Sequence, residues 1–121
     1  MEKKLILVID DDPRNIFALT AVLRAKSFSC ISATSALEAI AVLKGNPDVD
    51  AILLDMMMPE MDGYEAIPII KSIPAHSDTL VVAVTAQAMV GDREKCLEAG
   101  ADAYVSKPVD VDKLLQLLNY L

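Results

Sequence analysis

No apolar stretch in this chain approaches the roughly 20 residues that span a bilayer. The runs 5–9 (LILVI) and 80–84 (LVVAV) stop far short of it, so no membrane insertion is expected. Basic tracts are missing as well: 11 Lys and Arg stand against 18 Asp and Glu, a formal net charge of -7. A surface of that sign repels a phosphate backbone, and no direct nucleic-acid contact is expected. Cysteine is scarce, and Cys30 and Cys96 lie far apart, without a charged and then apolar leader before them. They read as two small hydrophobes in a reduced, cytoplasmic setting, not as a redox or metal pair. The single histidine, His76, falls in the polar loop 74–79 with no second ligand nearby and reads as a solvated side chain. Repeats, low-complexity segments and linkers are lacking, and nothing is left over for an output domain beyond the last expected helix.

What the chain does have is apolar bulk. Of 121 residues 54% are hydrophobic and 24% charged, too apolar for a disordered chain and the right length for one core, so residues 1–121 are expected to form a single domain. Five short runs rich in Val, Ile and Leu, at 5–9, 28–32, 51–54, 80–84 and 103–105, read as strands. The first, third and fourth are apolar at consecutive positions, which burial on both faces of a parallel sheet produces. Between them, Ile16, Leu19, Val22 and Leu23, then Ala36, Ala39, Ile40 and Leu43, repeat at helical spacing. Ser35 and Asp62 suit helix N-caps, Gly45 to Pro47 ends the second helix, Gly100 follows the fourth, and the last is expected over 111–120. Pro68 falls inside the third, where a kink or a late helix start is expected. The order is (βα)5: an α/β, doubly wound three-layer sandwich around a five-stranded parallel sheet, flavodoxin-like in plan. Ligands of such sheets bind at the carboxyl ends of the strands, near the topological switch point.

At that edge the first strand ends in Asp10, Asp11 and Asp12 and the third in Asp55. Four carboxylates gathered together repel one another unless raised pKa values or a hard divalent cation offset the charge. Magnesium fits best, with manganese as its substitute, and an acidic pocket that holds it suits metal-assisted phosphoryl chemistry. Thr85 ends the fourth strand and Lys107 follows the fifth, adding a hydroxyl and an ammonium. Asp55, central in the sheet, is the candidate nucleophile for an acyl phosphate; Asp10 and Asp11 are placed to hold the metal, and Lys107 to neutralise phosphoryl oxygens. Pro108 shapes the turn that aims Lys107, through a bond that can be cis.

Four pieces in order, LVIDDD at 7–12, LLDMMMPEMDG at 53–63, VTA at 84–86 and YVSKP at 104–108, resemble the receiver domain of two-component response regulators over essentially the whole chain. The segment GDREKCLE at 91–98, otherwise read as an exposed charged helix face, is similar in wording to receivers of hybrid histidine kinases and their stand-alone relatives. The resemblance implies a phosphorelay switch and not a turnover enzyme. Asp55 is then the phospho-acceptor, Asp10, Asp11 and the Met57 carbonyl ligate Mg2+, and Thr85 and Lys107 contact the phosphoryl group. Tyr104 becomes the aromatic switch, whose movement repacks the face of the fourth helix, fifth strand and fifth helix. Met57 and Gln87 occupy the positions that tune dephosphorylation; a thioether cannot orient water whereas an amide can, so a lifetime from minutes upward is expected. Small Ala86 leaves the pocket open to small donors. The implied partners are a histidine kinase or histidine phosphotransfer protein upstream and a protein target downstream, with the receiver a monomer or a weak phosphorylation-dependent dimer, either free-standing or part of a larger hybrid protein.

Three other readings fit less well. A haloacid-dehalogenase-type phosphatase would use Asp10 and Asp12, but Arg14 stands where its motif takes Thr or Val. A flavin binder would meet three aspartates where the flavin phosphate docks. A phosphorylation-independent interaction module would leave the complete acidic set without a purpose. The methionines Met56, Met57, Met58 and Met61 read as gap-filling under a loop, not as a copper site.

Overall fold

The computed structural model describes residues 3–86 and 91–119. Five parallel strands, β1 (Leu5–Ile9), β2 (Ser29–Ala33), β3 (Ala51–Asp55), β4 (Leu80–Thr85) and β5 (Ala103–Ser106), form one sheet in the order β2-β1-β3-β4-β5. The three runs of consecutive apolar residues are the three interior strands, as burial on both faces requires, while β2 and β5 are its edges. Helices α1 (Pro13–Ala25), α2 (Ala36–Gly45), α3 (Gly63–Ser72), α4 (Asp92–Ala99) and α5 (Val111–Leu118) alternate with the strands.

Alternate strand residues separate two cores. Ile6, Val8, Leu53, Val82 and Val84 pack with Leu23 of α1 and Leu114 and Leu118 of α5. Leu7, Ile9, Ile52, Leu54, Val81 and Ala83 pack with α2, α3 and α4. The period of two along a strand thus sorts α1 and α5 to one face and the other three helices to the opposite one. Among the described residues no helix is long and apolar enough to cross a membrane.

Two local expectations are corrected, for β2 and for His76, and two others are refined. The second strand starts at Ser29, not Phe28, because the Phe28 amide is used in the turn that follows α1. Ser27 adopts φ 73°, and the Ser27 and Phe28 amides donate to the Arg24 and Leu23 carbonyls in a Schellman closure. Helix α3 does not start late: Asp62 accepts from the Glu65 amide at 3.0 Å and Glu65 accepts in return from the Asp62 amide, a capping box that starts the helix at Gly63. It continues through Pro68, which is exposed, so water can serve the carbonyl that proline leaves without a donor. The last helix is described to Leu118, and Tyr120 lies outside the described residues. His76 is not solvated. It is fully buried, Nδ1 lying 2.9 Å from the Thr79 hydroxyl and Nε2 3.0 and 3.1 Å from the carbonyls of Leu43 and Asn46, so it ties the β4 approach to the end of α2.

Candidate functional site

Since all five strands run the same way, their carboxyl ends meet along one edge. The chain leaves β1 toward β2 on one side while β3 lies on the other, so the sheet's switch point falls between β1 and β3. Asp10 follows β1 and Asp55 ends β3, flanking it, and both are buried. Asp11, next in sequence, is exposed, yet its carboxylate joins the cluster: one oxygen each of Asp10, Asp11 and Asp55 lies within 4.8 Å of the others.

Fixed donors hold this cluster. Asp10 accepts from the Asp12 amide at 2.9 Å, the Asn15 side-chain amide at 3.3 Å and the Lys107 ammonium at 3.2 Å. Asp55 accepts from the Met57 amide at 3.0 Å, and its second oxygen lies 3.5 Å from Lys107. Lys107 is brought there by the amide that follows β5, which donates to the Thr85 carbonyl at 2.7 Å. The Lys107–Pro108 peptide is cis. Thr85 is fully buried at the end of β4, opposite Ser106 in the register.

Burial pushes the Asp55 carboxyl above the ordinary carboxylate range; the Met57 amide and Lys107 pull it down, and Asp10 and Asp11 push it up again. For Lys107, burial disfavours the charge, but the Asp10 hydrogen bond and the nearby Asp55 and Asp10 carboxylates outweigh it and hold the ammonium above its usual value. The ammonium therefore stays charged through the neutral range.

Asp12 departs from the expected set of four. Its side chain caps α1 through the Arg14 amide at 2.9 Å and pairs with the Arg14 guanidinium at 3.0 and 3.2 Å, which holds its carboxyl low. A local cap with an adjacent cation wins over repulsion within the cluster. Asn15, which joins Asp10, lies one helical turn past the acid run, with nothing in the sequence to mark it.

The three-carboxylate set suits a hard cation. One ammonium faces three carboxylates, and octahedral oxygen ligands about 2.1 Å from magnesium lie roughly 3 to 4 Å apart, close to the spacing here. The Met57 amide bond to Asp55 fixes the loop that carries the Met57 carbonyl. Met57 exposes its thioether, whereas Met56 and Met58 are buried, the alternation expected of gap-fillers. Gln87 lies outside the described residues.

Gly63 closes this loop by donating to the Met56 carbonyl at 3.2 Å. A methyl group there would meet the Met56 side chain and lie 2.9 Å from its Cα. Gly63→Ala is therefore expected to lower stability by about 1–3 kcal/mol, read from a urea melt; an unchanged midpoint would mean that the loop yields freely.

The segment after Gly91 is corrected in part. Arg93, Glu94, Lys95 and Glu98 are exposed as expected, but Asp92 and Cys96 are buried. Asp92 accepts from the Tyr64 hydroxyl at 2.8 Å and the Tyr104 hydroxyl at 3.2 Å. Tyr104 itself is half-buried on β5, opposite Ala83 of β4. A groove of about 530 Å3, lined by Asp10, Asn15, Leu19, Lys107, Pro108 and Val109, opens beside the cluster.

Residues 6–119 match the response regulator receiver domain family. The chain is 37% identical over 113 residues to the signal transduction histidine-protein kinase BarA of Escherichia coli, covering 93% of this chain and 12% of that protein. To the sensor histidine kinase RcsC of Salmonella typhi it is 40% identical over 115 residues, covering 94% of this chain and again 12% of the relative. It thus spans a small part of the length of the curated relatives it matches. The receiver domain of the sensor histidine kinase PA1611 from Pseudomonas aeruginosa, solved with a magnesium ion coordinated in the active site cleft, is 31% identical with a TM-score of 0.89, covering 98% of this chain and 97% of that one.

Proposed function

The chain belongs to the response regulator receiver family, and on that footing we propose that Asp55 takes a phosphoryl group from the histidine of a kinase or phosphotransfer protein. The observation that carries this reading is the convergence of Asp10, Asp11 and Asp55 within 4.8 Å, with Lys107 on Asp10 and Asp55. An Asp55 oxygen attacks phosphorus, the P–N bond of the donor breaks, and its electron pair leaves with the imidazole nitrogen. The Met57 amide orients the attacking carboxylate, and Lys107 balances charge on the transferred oxygens. Thr85, at the end of the neighbouring strand, is placed to donate its hydroxyl to the bound phosphoryl group.

Asp10, Asp11, Asp55 and the Met57 carbonyl are the residues that would hold Mg2+, with Mn2+ as its substitute. When bound, the ion supplies positive charge against the phosphoryl oxygens. The groove beside Asp10 and Lys107 leaves room for the donor. Once Asp55 is phosphorylated, the Thr85 hydroxyl is drawn toward it, Tyr104 follows, and the face of α4, β5 and α5 changes for a protein target. This is a population shift between two states and calls for no turnover substrate. Residues 1–121 act as one receiver unit in the cytoplasm, as a monomer or weak phosphorylation-dependent dimer.

Incubation with acetyl phosphate and Mg2+, followed by intact-mass measurement, tests the reading. One phosphoryl adduct is expected, lost in EDTA, with a lifetime of minutes or more because the Met57 thioether cannot orient an attacking water. Decay within seconds would refute the assigned tuning by Met57 and Gln87. No adduct, even from a phosphohistidine donor, would leave a phosphorylation-independent binding module.

A further inference from the structure

Asp92 is buried at the first turn of α4, yet among the described residues it makes no ion pair. A buried carboxylate is expensive unless hydrogen-bonded. Here one oxygen takes the Tyr64 hydroxyl of α3 at 2.8 Å and the other takes the Tyr104 hydroxyl of β5 at 3.2 Å. The α4 N-terminus adds a favourable partial charge. Burial first, and then the bond to Asp92, push both phenols above their ordinary range, so both remain donors.

We infer that Asp92 is a positioning residue that latches the Tyr104 hydroxyl in the unphosphorylated protein and so sets the fraction of molecules ready to accept a phosphoryl group. The inference rests on the phospho-switch reading above and deepens it. In the β4–β5 register Tyr104 faces Ala83 and Ser106 faces Thr85, so Tyr104 and Thr85 project from the same face of the sheet. Moving the Tyr104 ring toward Thr85 withdraws its hydroxyl from Asp92. The carboxylate cannot follow, because the shorter bond to Tyr64, whose ring also lies 5.9 Å from the Lys95 ammonium, keeps it on the α3 side. Withdrawal leaves one oxygen of a buried charge without its donor. The latch therefore favours the resting arrangement, and the apparent affinity for a phosphoryl group falls by the fraction of molecules held in it.

The test measures the dissociation constant of beryllofluoride with Mg2+ by calorimetry. The proteins are wild type, Asp92→Asn, Tyr104→Phe and the double variant. Tyr104→Phe removes the hydrogen bond and Asp92→Asn takes away the charge that strengthens it; Tyr104→Phe is expected to tighten binding about fivefold and Asp92→Asn by a smaller factor in the same direction. The double variant should show the gain of Tyr104→Phe alone and not the product of the two, because both changes act on one bond. Tyr64→Phe, which spares the Tyr104 bond but loosens the anchor of the carboxylate, should tighten binding less than Tyr104→Phe does. Unchanged affinity in Asp92→Asn overturns the latch, as does an Asp92→Asn effect that persists in full when Tyr104 is already Phe. Should Asp92→Asn not fold, Tyr104→Phe alone breaks the bond from the strand, and affinity that stays level or weakens overturns the proposal. A wild type that binds no beryllofluoride and takes no acetyl phosphate overturns the phospho-switch reading itself, an outcome distinct from level affinities among variants of a competent receiver.

Discussion

Replacing Asp55 by Asn is expected to abolish the phosphoryl adduct and, in metal-free buffer at pH 7, to raise the melting temperature. The first effect follows from removing the nucleophilic oxygen. The second follows from the environment of that oxygen. Burial and the neighbouring Asp10 and Asp11 charges hold the folded-state carboxyl of Asp55 above its unfolded range. A raised folded pKa means that the native state binds the proton more tightly than the unfolded chain does. This contribution is fully present below the unfolded pKa and is lost as pH rises through the folded value. At pH 7 the wild type therefore carries an ionised Asp55 at a cost, and Asn does not. A gain on the order of 1 kcal/mol corresponds to about 4 °C in a domain of this size. Added Mg2+ should reverse the ranking, stabilising the wild type strongly and the variant weakly. Thermal melts with EDTA and with Mg2+ check both halves. A variant that melts lower than wild type in EDTA would show that the ion pair with Lys107 outweighs the repulsion.

Lys107→Ala should separate metal binding from chemistry, because the two are expected to move in opposite directions. The ammonium lies 3.2 Å from Asp10 and 3.5 Å from Asp55. Without it the cluster keeps three carboxylates and loses its adjacent positive charge, so Mg2+ should bind about tenfold more tightly. The transferred phosphoryl oxygens lose their fixed cation, and loss of one such preorganised group slows reactions by roughly 100-fold or more. The expected result is a variant that binds Mg2+ better and takes phosphate from acetyl phosphate about 100 times more slowly. Magnesium titration and the time course of adduct formation measure the two effects separately. Slower phosphorylation with weaker Mg2+ binding would point to a collapsed pocket instead of a missing charge.

The parts of this molecule that could be read along the chain are those set by local pattern. Consecutive apolar residues mark β1, β3 and β4 because both faces of the sheet are covered, and the acids and hydroxyl at the ends of these strands then fall on one edge without further information. Ser35 and Asp62 begin helices where side-chain caps can form. Legibility fails where a partner is distant in sequence or where a shorter-range contact competes. His76 reads as a loop residue because the carbonyls that hold it belong to Leu43 and Asn46, some thirty positions away. Asp92 reads as one more charge on a charged helix because its two phenols sit on α3 and β5. Asp12 fails in the opposite sense. Its position groups it with the acids beside it, yet Arg14, two residues on, claims it.

The burial of His76 also bears on where a phosphoryl donor can sit. Nε2 faces the two carbonyl oxygens of Leu43 and Asn46, and Nδ1 lies against the Thr79 hydroxyl. Neither nitrogen is open to phosphorus, and no other imidazole exists in these 121 residues. A phosphohistidine donor for Asp55 must therefore come from outside this domain. For a donor on a separate molecule, the speed of loading rises with that donor's concentration, whereas spontaneous discharge of Asp55 into water does not. Steady-state occupancy then becomes a readout of how much charged donor surrounds the receiver.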